Sequence, residues 1–419
     1  MSSRRLVLSC LAILVLSLGC SSGAALQSGA SGAEASSAIR FAAGEAALGI
    51  PFRLVDDQIV LPVRINDTLT VDMILDTGFG FDGAMLLDMR LGMQLGLTKY
   101  AQLVPLGGGG AQTPKTAGLA TGTTLGLAGV TLGNPLLLVL QDSTSLAHWH
   151  VPGIIGKALM GCVVEIDFQK RVLNLSRSLP RAGVALGHEF PITFEQGIPV
   201  VSAAIVTDRG REVPVRLLVD TGMSDVLLLR AAPHLDLRAP KRLIRPVRGV
   251  LAEGVNGPMR GSVGRVGRLK LGPLVLDDVL TSFVDEADLA AAFGNGIDGM
   301  IGNEILWRFT VVFDYSGGRM FLRPGKHLAR PFDFDMAGLV LQARRDGLFS
   351  ILDVIAGSPA ARAGVAGGDL LIAIDDRDVR SLGSERIFDM LRARGRTVAL
   401  TLERDGRRST QKVTLARLI

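Results

Sequence analysis

The chain has 419 residues, of which 48% are hydrophobic and 20% charged, with a formal net charge of +5. That composition excludes a disordered or collagen-like chain and suffices for two or three globular units. Two Tyr and two Trp argue against the aromatic platforms of single-strand nucleic-acid binders. The basic stretch 241–248 is broken by Pro and apolar residues, as in a solvated loop, so no nucleic-acid partner is expected. The 51 glycines are too many for a helical protein and suit short strands joined by tight turns.

The chain opens with an export signature: Arg4-Arg5, an apolar run over 6–18, then Gly19-Cys20-Ser21-Ser22. The run is too short for a stable membrane span. Ser17-Leu18-Gly19-Cys20 resembles a bacterial lipobox, which implies that Cys20 becomes a lipidated first residue. The alternative is a secretory signal cut near Ala24-Ala25. The expected location is the periplasm or cell envelope, with membrane attachment only through a lipid on Cys20. Cys10 and Cys20 belong to this segment, which leaves Cys162 as a small core residue without a disulfide partner. Residues 21–40, rich in Ser, Gly and Ala, read as a flexible tether.

Strand-like runs follow at 59–65 and 71–75, separated by the hairpin signal Asn66-Asp67. The second run begins an internal repeat. Val71-Asp-Met-Ile-Leu-Asp-Thr-Gly78 echoes Val215-Arg-Leu-Leu-Val-Asp-Thr-Gly222, Gly153-Ile-Ile-Gly156 echoes Gly299-Met-Ile-Gly302, and Val164-Glu-Ile-Asp-Phe168 echoes Val311-Val-Phe-Asp-Tyr315. The offsets of 144 (76 to 220), 146 (153 to 299) and 147 (167 to 314) are nearly constant, so the chain holds two copies of one unit, 45–180 and 185–325. Residues 177–183 are the expected connector and 330–335 a linker to a third unit, 336–417. That unit has four strand runs and an amphipathic helix over 384–394, with Ser381 or Ser384 as N-cap and Gly395 as the stop.

The chemistry lies in the repeated Asp-Thr-Gly. An Asp at the end of a buried strand is poorly solvated, which disfavours its ionised form. Two such carboxylates facing each other share one proton, leaving one as base and the other as acid. The base takes a proton from water as it attacks an amide carbonyl, and the acid polarises the carbonyl oxygen. Gly permits a tight turn beside the carboxylate, and the Thr hydroxyl is free to hydrogen-bond across to the other loop.

Each Asp-Thr-Gly follows an apolar strand and precedes a Gly-aliphatic-aliphatic-Gly strand. This resembles the retroviral-type aspartic proteases and their bacterial relatives, over both units. The resemblance implies two retropepsin-like β-barrel halves in tandem, forming a pepsin-like pseudo-dimer within one chain. It also implies Asp76 and Asp220 as the catalytic dyad, supported by Thr77, Gly78, Thr221 and Gly222. Glycine-rich flaps are implied at 106–118, which contains Gly107–Gly110, and at 249–264; ordinary surface hairpins are the alternative. The family has Ala or Ser after Asp-Thr-Gly, where this chain has Phe79 and Met223.

The third unit contains Gly347-Leu348-Phe349, then Gly357-Ser-Pro-Ala-Ala-Arg-Ala-Gly364 and Gly367-Gly-Asp-Leu-Leu-Ile372. It is similar to bacterial PDZ domains. This implies a nest for a peptide's terminal carboxylate at Gly347, Leu348 and Phe349, with a groove along 349–354 and the helix near 387–391. The expected partners are a peptide or protein substrate and, for the PDZ domain, a C-terminal peptide.

No cofactor or metal is expected: His148 and His150 have no carboxylate or Cys at ligand spacing. Residues 19–23 match a nucleophile-elbow pattern outside its strand-turn-helix context, and 110–116 lack the Gly before Lys115 that a phosphate loop needs. The expected fold is therefore mainly β and the expected activity that of an exported aspartic-type endopeptidase. Two alternatives stay open: a non-catalytic peptide-binding envelope adaptor, and a homodimer in which each half pairs with its twin.

Overall fold

A computed structural model describes residues 38–419 except 98, 108–113, 143–150, 181–184, 208–209, 232–243, 255, 286 and 289–295. Cys20, the tip of the first glycine-rich loop at Gly108–Gly110, His148 and His150 lie outside the described residues.

The first unit is built on an antiparallel hairpin of strands Gln58–Ile65 and Leu69–Leu75. Its turn residues Asn66 and Asp67 have φ values of 51° and 54°, which suit the right-handed twist of the flanking strands. Strand Leu69–Leu75 delivers Asp76 at its C-terminal end. Strand Gly153–Ile155 lies parallel to residues 73–75 on one side and antiparallel to strand Gly83–Leu86 on the other. The second unit repeats this pattern. Strands Ile198–Val206 and Glu212–Val219 form the hairpin, and Gly299–Ile301 inserts between residues 217–219 and strand Leu227–Arg230 with the same two polarities. These inserted strands read as short apolar runs because neighbours flank both of their edges and all their residues are buried.

The two units share a sheet. Strand Val163–Asp167 pairs antiparallel with its own repeat, Phe309–Asp314, centred on Glu165 opposite Val312. Strands Val172–Ser176 and Ala46–Pro51 extend the sheet on one side, and Arg319–Pro324 and His188–Glu195 extend it on the other. All six residues of Phe309–Asp314 are buried, so this strand lies at the centre of the joint core. The halves thus complete one another within a single chain, as in a pepsin-like pseudo-dimer.

The third unit is an antiparallel sheet in the order Leu339–Ala343, Phe349–Val354, Leu370–Ile374, Thr397–Arg404, Arg407–Thr414. Ser358 caps the short helix Pro359–Arg362 by accepting from the Ala361 N–H at 3.1 Å, with Pro359 at the first helical position. The longer helix is in two parts: the expected helix from 384 follows a break at Gly383 (φ 67°, ψ 159°), ends at Leu391, and is preceded by a further turn, Val379–Leu382. The N-cap of that turn is Asp378, which accepts from the Arg380 N–H at 2.9 Å. The Ser381 hydroxyl instead donates to the Asp378 carbonyl. A carboxylate won this cap because Asp378 directly precedes the first turn, whereas Ser381 already lies inside it.

The segment 330–335 is not a loose linker. Phe332, Phe334 and Asp335 are buried, and the first two pack into the core of the tandem units.

Candidate active site

The two Asp-Thr-Gly loops lock onto each other through a symmetric set of hydrogen bonds. The Thr77 N–H donates to Thr221 Oγ1 at 3.0 Å, and the Thr221 N–H donates to Thr77 Oγ1 at 3.0 Å. Each hydroxyl then donates across the dyad, Thr77 to the Val219 carbonyl at 2.6 Å and Thr221 to the Leu75 carbonyl at 2.7 Å. All four groups are buried, where satisfied polar networks specify a single geometry. The arrangement needs a hydroxyl directly after each Asp, which is why the tripeptide recurs unchanged.

The lock brings the carboxylates face to face. A Cβ added at Gly78 would sit 2.7 Å from Asp220 Cγ, and one added at Gly222 would sit 2.5 Å from Asp76 Oδ2. Each glycine therefore supports the carboxylate of the opposite loop. We expect Gly222→Ala to push Asp76 aside and cut peptide hydrolysis by ~10²-fold with the fold retained, since a shift near 1 Å has that effect on reacting groups. Circular dichroism alongside steady-state kinetics checks this, and native-level turnover would refute it.

Asp76 and Asp220 are 1% and 0% exposed. Burial, followed by the facing charge of Asp220, holds the Asp76 carboxyl well above the usual carboxylate range. Burial also raises Asp220, opposed by the hydrogen bond with Asp76 and by backbone N–H groups. The Gly222 and Met223 amides donate to Asp220 Oδ1 at 2.7 and 3.2 Å. The pair is thus asymmetric: Asp76 holds the shared proton and Asp220 carries the charge.

Phe79 and Met223 do not intrude on the carboxylates. Both side chains are fully buried, Phe79 within the cluster that holds Phe81 and Met223 with its Cε against Gly302. A Cβ at Gly156 would lie 2.9 Å from the Phe79 carbonyl oxygen, and one at Gly302 would lie 2.6 Å from Met223 Cε. The last glycine of each motif is therefore the space into which the residue after Asp-Thr-Gly packs. Phe79 also tilts against Phe81, with centroids 5.8 Å apart.

Several supporting residues escaped the sequence reading. Asn303 Nδ2 donates to the Thr221 carbonyl at 2.5 Å and to the Asp57 carbonyl at 2.8 Å. Gln58 Nε2 donates to the Gly222 carbonyl at 2.5 Å, and Ser224 Oγ to the Asp56 carbonyl. Together they seat the first unit's 56–58 turn under the second unit's loop. Only Asn303 carried a signal, as the polar residue directly after Gly302 in the position where Lys157 follows Gly156.

The two glycine-bearing hairpins are Gln102–Pro105 with Thr116–Ala120, and Val250–Gly254 with Gly257–Leu271. They meet at Asn256. Its Nδ2 donates to the Leu106 carbonyl at 3.1 Å, and its Oδ1 accepts from the Lys115 N–H at 3.3 Å.

In the third unit Gly347, Leu348 and Phe349 lie where one strand of the sheet turns into the next. The Leu348 N–H donates to Asp346 Oδ1, and Phe349 packs edge-on against Phe388 in the core. Strand Phe349–Val354 pairs along its length with Leu339–Ala343, and its first two residues also pair with Leu370 and Leu371. The sheet edge is Leu339–Ala343. At its head, the N–H groups of Ala337, Gly338 and Leu339 converge, as a carboxylate nest requires, and they are taken by the buried Asp335 side chain at 2.8, 2.7 and 2.7 Å. Burial raises Asp335 to about 6, against the three amides that favour its charge. The sequence hid this because Gly347-Leu348-Phe349 and Gly338-Leu339-Val340 are equally good apolar glycine turns.

Residues 204–305 match the family model described as aspartyl protease, and residues 350–404 match that of the PDZ domain. A stretch of the second unit is thus similar to the aspartyl-protease family, and a stretch of the third unit is similar to PDZ domains. The protease match falls on the second unit, whose strand plan the first unit repeats. Among solved structures the chain is similar to the aspartic proteinase from Irpex lacteus, at 13% identity and a TM-score of 0.44, over 68% of this chain and 99% of that one. No curated protein matches the chain.

Proposed function

We propose that the chain is an aspartic-type endopeptidase that hydrolyses peptide bonds through the Asp76–Asp220 pair. The observation that carries this reading is the reciprocal Thr77–Thr221 lock, which has no purpose in a surface turn and fixes two buried carboxylates against each other. One proton shared between them gives both roles. Asp220, supported by the Gly222 and Met223 amides, accepts a proton from the attacking water. Asp76 donates its proton to the carbonyl oxygen as the tetrahedral intermediate forms, and the proton gained by Asp220 later goes to the leaving amine. A statine-type inhibitor, whose hydroxyl mimics that intermediate, tests the reading against the adaptor alternative. It should bind the native chain and fail to bind the Asp76→Asn/Asp220→Asn variant; equal binding to both would favour the adaptor.

We further propose that the PDZ domain takes a peptide or protein C-terminus only when Asp335 leaves the 337–339 nest. Three charge-assisted hydrogen bonds must be exchanged for the ligand's carboxylate, so the closed state taxes binding. The Asp335→Ala variant should bind a hydrophobic C-terminal peptide at least ~10-fold tighter than the native chain, a gain of about 1.4 kcal/mol. A C-terminally amidated peptide should show no such gain in fluorescence anisotropy. Identical affinities of both proteins for the free-acid peptide would sink the idea.

A further inference from the structure

Both carboxylates of the dyad are buried, and the two glycine-bearing hairpins belong to the same two units. The second hairpin touches the first at its tip through Asn256. At its base it touches the PDZ domain. Residues 245–247 run beside the end of strand Phe349–Val354: the Val247 N–H donates to the Val354 carbonyl at 2.7 Å, and the Ala356 N–H donates to the Arg245 carbonyl at 2.8 Å. Pro246 bridges to Ile355 between these bonds.

The contact closest to the hairpin is made by a side chain. Asp353 is fully buried, and its Oδ2 accepts from the Arg248 N–H at 2.8 Å and the Val250 N–H at 3.1 Å. Its Oδ1 accepts from the Val354 N–H at 2.8 Å. Between the two captured amides lies Gly249, with φ 78° and no atom within 4 Å of the place of a Cβ. The Gly249 N–H donates to the Pro246 carbonyl and its carbonyl accepts from the Gly261 N–H, each at 3.1 Å, so the turn joins residues 245–247 to the hairpin. The chain from the PDZ sheet to the hairpin over 250–264, and through Asn256 to the first hairpin, is thus mechanically continuous.

We propose that Asp353 is a positioning residue, through which the PDZ domain holds the second hairpin in its closed seat and sets how readily the two hairpins part. For its effect on turnover this inference rests on the peptidase reading; for the mechanical coupling it does not. A buried carboxylate accepting two amides is a strong latch, because removing it leaves both donors unsatisfied. The strand Gly257–Leu271 is held from 261 onward by Leu274–Val284. The arm Val250–Gly254 pairs only with 257–260, so the carboxylate fastens the less supported arm of the hairpin.

Hydrogen exchange on the full-length chain tests the proposal. In Asp353→Ala, amides over 248–264 should exchange ~10-fold faster, while those of the PDZ strands 397–414 keep their native rates. Asp353→Asn, which retains an acceptor oxygen, should restore most of the protection. Asn256→Ala should speed exchange at 114–120 and leave 245–250 unchanged. In peptide hydrolysis, Asp353→Ala should lower KM by roughly 3-fold with an unaltered pH profile of kcat, because opening no longer taxes each encounter. Unchanged exchange over 248–264 overturns the proposal, and so does faster exchange throughout the PDZ strands, which would make Asp353 a folding residue. Absence of hydrolysis by the native chain defeats the peptidase reading and leaves the exchange data to decide the coupling.

Discussion

Replacing Asp76 or Asp220 by Asn should reduce peptide hydrolysis by ~10³-fold or more while leaving the fold intact. Asn matches Asp in volume, and at 220 its oxygen still accepts from Gly222 and Met223, so the loops stay locked by the two threonines. What disappears is the shared proton. With one amide in the pair, either the acceptor of water's proton or the donor to the carbonyl oxygen is missing. The single variants and the double variant should therefore be nearly equal in effect, as expected of groups that act as a unit. A single Asp76→Asn protein retaining most of its activity would refute the shared dyad.

The pH dependence has a definite sign. Burial raises both carboxylates, so the pair holds its proton to higher pH than free Asp, and hydrolysis falls as pH rises past the point where that proton is lost. On the acid side the rate falls when the second carboxylate is also protonated. A profile of kcat/KM against pH should have both limbs.

The largest stability effect is expected at Arg308, which is fully buried. Its Nε donates to the Glu304 carbonyl at 2.9 Å and its Nη2 lies 3.5 Å from Glu304 Oε1. The remaining donors reach the carbonyls of His327, Leu328, Arg330 and Pro331, and the guanidinium stacks over Phe332 at 3.7 Å. Burial lowers its pKa, with the Glu304 charge opposing. One cation thus fastens the turn after the second Gly-aliphatic-aliphatic-Gly strand to the segment leading into the PDZ domain. Arg308→Met keeps the apolar stem but removes every donor. It should destabilise the tandem units by about 3–5 kcal/mol, the usual cost of breaking a buried ion pair. Urea denaturation checks the value, and adding Glu304→Gln should recover part of the loss. A change below about 1 kcal/mol would mean that water replaces these bonds readily.

Much of the molecule was legible in the residues alone. The strand from 58 to 65, its Asn66-Asp67 turn and strand 69–75 follow from alternation and turn chemistry, which act over a few residues. The duplication followed from three blocks at nearly constant offset, and the structure pairs the third block with its own repeat, Val163–Asp167 against Phe309–Asp314. The helix expected from 384 follows the break at Gly383, and the turn capped by Asp378 before it was missed because Ser and Asp are comparable caps.

The sequence by itself determined the two Asp-Thr-Gly loops, the apolar strands that bury them and the glycines that let them approach. Those requirements are local: a hydroxyl beside each Asp, and no Cβ where the opposite carboxylate stands. Tertiary structure decided the rest. It packed Phe79 beside Phe81 and Met223 against Gly302, and it gathered the 337–339 amides onto Asp335. It also joined Asn303 to the 57 carbonyl across 246 positions, and Asp353 to Arg248 across 105. Such partners are set by which surfaces meet once three units pack together, and no spacing along the chain encodes that meeting.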